Sequence, residues 1–291
     1  MHTFFSALAV LLLITGSSLS NAEISVNDYL NRKVSLPSPA RRVIALAPHI
    51  VENLYSAGAG ELLVGAVDYC NYPPDAEKIP RVGSISSFSL EAIIEKQPDL
   101  IITFHSGRGE NALNRLEKLG FTVYASNPKQ LNDIAKSIRD FGVLTGRKTQ
   151  AETSAKNFER QLEQLERQYA SRAKVSTLYQ VWNDPIQTLN DKHIISDVIR
   201  LCGGINAFGD AAAIAPKISI ESVIARDPQV IIASGMGEEK PEWLDEWRRW
   251  DSLRAVKNND LYFIPPDIIQ RHTARILEGA KIMCEQLERS R

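Results

Sequence analysis

From Phe88 the chain reads FSLEAIIEKQPDLIITF, and from Ile218 it reads ISIESVIARDPQVIIAS, one alternation of apolar and polar positions written twice. Leu90, Ile93 and Ile94 in the first copy, and Ile220, Val223 and Ile224 in the second, recur at helical spacing, so each copy predicts a short helix with one buried stripe. Ser89 and Ser219 stand where an N-cap belongs, and Glu91 and Glu221 stand in the first turn, where a carboxylate meets the positive end of the helix dipole. Pro98 and Pro228 stop the helices. The runs that follow, DLIITF and QVIIAS, are apolar throughout, as a parallel strand covered on both faces would be.

The flanks repeat as well. RRVIALAP and KVSTLYQVW predict opening strands, each followed by a helix that ends at glycine, ENLYSAGAG and VIRLCGG. After the repeated stretch come NALNRLEKLG then FTVYAS in the first half, and PEWLDEWRRW then DLYFIPP in the second, each reading as a helix and then a strand. The fold class expected is α/β, with two similar lobes, 41–146 and 173–291. Between them, 147–172 contains no proline or glycine, and Ala151, Ala155, Phe158, Leu162, Leu165 and Tyr169 recur at spacings of four and three. This predicts one connecting helix, roughly 30 Å long, that lets the lobes rock only slightly. A coiled-coil dimer strip is the competing reading, but a stretch of this length between two strand-rich lobes suits an intramolecular brace better.

The N-terminal segment leads us to expect an exported product, the competing readings being an apolar first strand or a retained anchor. Residues 1–22 hold an apolar run and then small polar residues ending at Ala22, which reads as a cleaved secretory signal, and no cysteine follows to take a lipid. The formal charge of -1 and the lack of a long basic run give no case for nucleic acid or anionic lipid as partner. No GxSxG, HExxH or phosphate-cradling glycine loop is present, so no enzymatic activity is expected. Three cysteines in an oxidising compartment invite one bridge and one remainder. Cys202 and Cys284 both fall in the second half and are the expected pair, with Cys70 the odd one; the sequence leaves Cys70 open as a partner.

RVIALAPHIVENLYSAGAG, VGAVDYCNYPPDA, IPRVGS, SLEAIIEKQPDLII, LCGGINAF and SIESVIARDPQVII, taken together with the long helix, resemble the periplasmic binding proteins of ABC importers for vitamin B12 and iron-siderophores, the vitamin B12 branch above all. The resemblance runs from Arg41 to Leu287. It implies two lobes with a ligand cleft between them, no cofactor, cobalamin or a related corrinoid as the transported ligand, a membrane permease as partner, and a monomer when free. Iron-siderophore or heme is the alternative ligand. It also implies that Glu91 and Glu221 meet permease arginines, where the plain alternative is a carboxylate serving only its own helix.

Ligand-facing residues in such a fold lie on loops at strand ends. This nominates Pro48 and His49, Tyr69 to Tyr72, Ile85 to Phe88, and Phe104 and His105 from the first lobe, and Trp182, Asn183 and Ala215 from the second. The resemblance adds Asp267 and Arg271 beside the corrin amides. Ile85, Phe104 and Ala215 stand where the B12 branch carries tryptophans, so its aromatic clamp is not copied. His49, His105, His272 and Asp267 together raise a zinc or manganese site as a further alternative.

Overall fold

The computed structural model describes residues 23–105, 109–169, 171–235 and 239–291. The expected signal segment, 1–22, lies outside the described residues. The chain enters through an antiparallel hairpin, β1 (Ile24–Asn27) and β2 (Lys33–Leu36), which the sequence pattern did not announce. The first lobe is then a parallel four-stranded sheet in the order β4 (Leu63–Ala66), β3 (Val43–Ala45), β5 (Leu100–Phe104), β6 (Val123–Ser126). Its helices are α1 (Pro48–Ser56), α2 (Leu90–Glu95), α3 (Gly109–Lys118) and α4 (Leu131–Leu144).

One long helix, α5 (Lys148–Tyr169), leads to the second lobe. There β11 (Leu261–Phe263), β10 (Val230–Ala233) and β7 (Val175–Asn183) run parallel, β8 (Ile186–Thr188) turns back against β7, and the three-residue β9 (Gly204–Asn206) also pairs with β7. The accompanying helices are α6 (Ile194–Leu201), α7 (Ile220–Arg226), α8 (Arg254–Lys257), α9 (Pro266–Ile269) and α10 (Ile276–Arg289).

The repeated sentences form the matched pair α2–β5 and α7–β10, and Leu100, Ile101 and Ile102, like Val230, Ile231 and Ile232, are fully buried. The opening helices of the two lobes end alike. Gly58 after α1 and Gly203 after α6 have φ of 78° and 74°, the left-handed conformation that a C-terminal cap requires and that glycine adopts without strain. One segment departs from expectation. The WLDEW stretch is a 3-10 helix, Glu242–Arg249, in which Leu244 and Trp247 are buried three residues apart; the tighter three-residue turn stacks both on one face.

Apolar burial does not stop at the lobe boundary. Ala151, Ala155, Phe158, Leu162 and Tyr169 of α5 join a single core with residues of β3, β5, α4, α6 and α10. The stripe on α5 is therefore spent inside this chain. A second, smaller core, with Leu178, Phe208, Ile231, Leu244 and Trp247, lies within the second lobe. Cys202 and Cys284 are bridged, tying the end of α6 to α10 within one lobe, and Cys70 is a buried free thiol.

Candidate functional site

The crevice between the lobes holds a cavity of about 600 Å³. Phe104, His105, Asn127, Pro128, Lys129 and Gln130 line it from the first lobe, at the ends of β5 and β6; Asp191, Lys192, His193, Ile194, Ile214 and His272 face them from the second. An adjoining hollow of about 730 Å³ shares Gln130, Asp197 and Arg200 and runs past Glu159, Glu163 and Glu166 of α5.

Rings gather on the cavity floor. His49, at the start of α1, packs edge-on to Phe104 at 4.7 Å and to His272 at 5.5 Å between ring centroids, and His272 lies 5.9 Å from His193. These imidazoles are neutral. Burial pushes His49 down to about 3, helped by the Arg271 charge, and His193 down to about 4; His272 is held well below its ordinary value by burial and by repulsion from the other two. His49 Nε2 and His105 Nδ1 are buried with no hydrogen-bond partner among the described residues.

One flank of the crevice is closed by charge. Glu52 of α1 is 3% exposed and receives Arg271 Nη1 at 2.8 Å, Arg275 Nη2 at 2.8 Å and Arg275 Nε at 2.9 Å. Arg271 also reaches Asp267 at 2.9 Å, one helical turn before it, and Asn71 Nδ2 donates to the same carboxylate at 3.4 Å. The Arg275 guanidinium sits 3.7 Å above the Tyr72 ring. Asn53 Nδ2 donates to the His272 carbonyl at 2.9 Å, and the Leu131 amide donates to Asp197 at 3.2 Å, so other bonds cross the gap too.

The nominated residues separate into groups. Phe104 and His105 line the cavity, His49 packs behind them, and Pro48 opens α1. Asp267 and Arg271 lie at the charged flank with Tyr72, and the Tyr69 carbonyl accepts from Arg271 at 3.4 Å while Tyr69 as a whole is 83% exposed. Ile85 is 54% exposed, and Phe88 packs against the first lobe's core. Trp182 is 41% exposed with its Nε1 donating to the Asp184 carbonyl in its own hairpin, Asn183 lines a separate pocket with Trp243, Trp247 and Trp250, and the Ala215 carbonyl accepts from Gln187. Among the described residues no group of three or more His, Cys, Asp or Glu is arranged to hold a metal ion, which leaves the zinc or manganese alternative without a centre.

Glu52, Arg275 and His193 were not foreseen. Each left a trace: Glu52 interrupts the apolar run of α1, Arg275 follows Arg271 by one turn, and His193-Ile194-Ile195 repeats His49-Ile50-Val51 at the start of the equivalent helix.

On the outer faces, the Ala92 amide donates to Ser89 Oγ at 3.1 Å and the Ser222 amide to Ser219 Oγ at 3.3 Å, so both expected caps form. Glu91 and Glu221 are exposed, and each carboxyl is held below its usual range by its own backbone N–H and the capping serine.

Comparison with known proteins adds the following. The profile described as "Periplasmic binding protein" matches residues 43–268. The vitamin B12-binding protein of Vibrio cholerae serotype O1 is 36% identical over 253 residues, covering 87% of this chain and 91% of that protein. The vitamin B12-binding protein of Yersinia pestis is 31% identical over 255 residues, covering 87% of this chain and 89% of that one. The crystal structure of the periplasmic vitamin B12 binding protein of Vibrio cholerae superimposes with a TM-score of 0.80, covering 87% of this chain and 98% of that one.

Proposed function

The chain belongs to the periplasmic binding protein family, and on that premise we propose that it captures cobalamin in the crevice between its lobes and delivers it to the permease of an ABC importer. The likeness to vitamin B12-binding proteins along nearly the whole chain carries this reading. It is a binding protein, not an enzyme, and cobalamin is its cargo rather than a cofactor.

The crevice chemistry suits such a ligand. A corrin is a broad apolar plate with amides around its rim, so it calls for apolar and aromatic faces with a few fixed polar groups. Phe104 and Ile214 offer the first, and Lys129, Gln130, Asp191, Lys192 and His193 the second. Asp267, with its side chain 29% exposed, and Arg271 stand ready at the flank for rim amides. We also propose that Pro48, Tyr69, Tyr72, Ile85, Trp182 and His105 border the ligand, and that His49 and Phe88 support that surface from behind.

Delivery needs an outer contact, and Glu91 and Glu221 supply one charge per lobe. Two equivalent carboxylates can engage two subunits of a symmetric permease at once. The site of action is the periplasm, with the protein acting as a free monomer after removal of 1–22. No helix among the described residues is long and apolar enough to cross a membrane.

The test is a parallel calorimetric titration of purified protein with cyanocobalamin, an iron-siderophore, heme and zinc. Cobalamin binds one per chain with sub-micromolar affinity if the reading holds. No heat, with no red ligand retained on gel filtration, rejects it, and preference for heme or the siderophore keeps the family while replacing the cargo.

A further inference from the structure

The imidazoles on the crevice floor are not equivalent. His193 Nδ1 accepts the Ile195 amide at 3.2 Å, and a neutral ring that accepts at Nδ1 carries its proton on Nε2, so His193 offers the crevice an N–H. His49 is 6% exposed and is covered by Phe104 and His272. His272 lines the cavity, and among the described residues neither of its ring nitrogens makes a hydrogen bond. One of those nitrogens carries a lone pair in any neutral tautomer.

That lone pair is both available and held in place. Burial and the neighbouring imidazoles keep His272 unprotonated through the neutral range, and the bond from Asn53 to its carbonyl fixes the loop that carries it. Open to the cavity and free of any protein hydrogen bond, that acceptor is placed to bond a group of the bound ligand. The partner is not a bare cation, because among the described residues no group of three or more His, Cys, Asp or Glu is arranged to hold one. A metal already held by four equatorial nitrogens of a macrocycle needs only a single axial donor, and imidazole is a common ligand for first-row metals of this kind.

We propose that His272 is an axial ligand to the cobalt of the bound corrinoid, taking the coordination position that water holds in aquacobalamin. The inference rests on the cobalamin reading above. A cobalt–nitrogen bond forms as the cobalt–oxygen bond to water breaks, the water leaves, and cobalt stays Co(III). The ring is already neutral, so no proton has to be removed before it coordinates.

Absorption spectroscopy of the full chain tests this directly, with aquacobalamin and cyanocobalamin as the two probes. Bound aquacobalamin takes on the spectral shift that free imidazole gives with aquacobalamin in water, and bound cyanocobalamin, whose cyanide keeps the position filled, does not. His272→Ala abolishes the shift. Aquacobalamin also binds on the order of tenfold more tightly than cyanocobalamin, a preference that the same substitution removes. If cyanocobalamin is retained while bound aquacobalamin keeps its free spectrum, the axial bond is refuted and the cobalamin reading stands. If neither corrinoid is retained, the cobalamin reading fails and the axial bond with it. A shift that survives in His272→Ala overturns the assignment to this residue, and the wild-type spectra with the two probes support or refute the axial bond even if the variant does not fold.

Discussion

Glu52 and Arg271, 219 residues apart, form an ion pair at 2.8 Å that joins the two lobes across one flank of the crevice. The side chains are 3% and 12% exposed, so water does little to replace the bond if it is lost. Arg275 shares the same carboxylate. Glu52→Ala would remove the carboxylate that Arg271 and Arg275 share, leaving Arg271 with Asp267 alone and Arg275 without its ion-pair partner.

Removing one partner of a buried pair typically costs about 3–5 kcal/mol. Glu52→Ala is therefore expected to lower the urea midpoint sharply, and Glu52→Gln, which keeps the acceptor oxygen, to lower it less. Equal midpoints for wild type and Glu52→Ala would show that the flank contributes nothing to the fold.

Reversal of the outer charges is expected to separate binding from transport. Glu91→Lys with Glu221→Lys should leave cobalamin affinity and melting temperature nearly unchanged, because both residues are exposed rim charges. Uptake of labelled cobalamin, in cells lacking their own binding protein, should fall sharply through like-charge contact with the permease, and single reversals should be milder. Normal uptake by the double variant would reduce both residues to helix caps.

The cysteines should behave as two classes. Cys202 and Cys284 close a loop with a sequence separation of 82, and losing the bridge is expected to cost on the order of 4 kcal/mol in the chain-entropy account. Burial pushes the Cys70 thiol up to about 11, so it should resist alkylation in the native protein and react after denaturation. Peptide mapping without reduction checks both points, and recovery of Cys70 in a bridge would contradict the structure.

Stability should fall as pH is lowered from about 6.5 to about 4. His49, His193 and His272 have folded values below the ordinary 6.5, so in this window the unfolded chain binds protons that the folded chain does not. The slope of unfolding free energy against pH is then positive, and the stability present above 6.5 is progressively lost on acidification. A melting temperature as high at about pH 5 as at about pH 7 would mean that these rings are charged in the fold.

The tandem order of helix and strand, the serine caps, the capping glycines and the long helix were all legible in the sequence. Each depends on residues within a few positions of one another, where spacing alone decides which side chain lies beside which. The 3-10 turn at Glu242–Arg249 and the short strand β9 were not, because a three-residue period and a three-residue strand barely register as patterns and are selected by the core they meet. The ligand crevice was legible only as a set of strand ends. That Phe104 and His105 line it, that Phe88 packs into the first lobe's core, and that Trp182 hydrogen-bonds within its own hairpin were decided by how the lobes fold and seat on each other. The meeting of His49, His193 and His272, and of Glu52 with Arg271 and Arg275, belongs to the same class. These groups lie far apart along the chain, and their juxtaposition follows from the shared core beneath α5, which fixes one lobe against the other and so determines which charges and rings face across the gap.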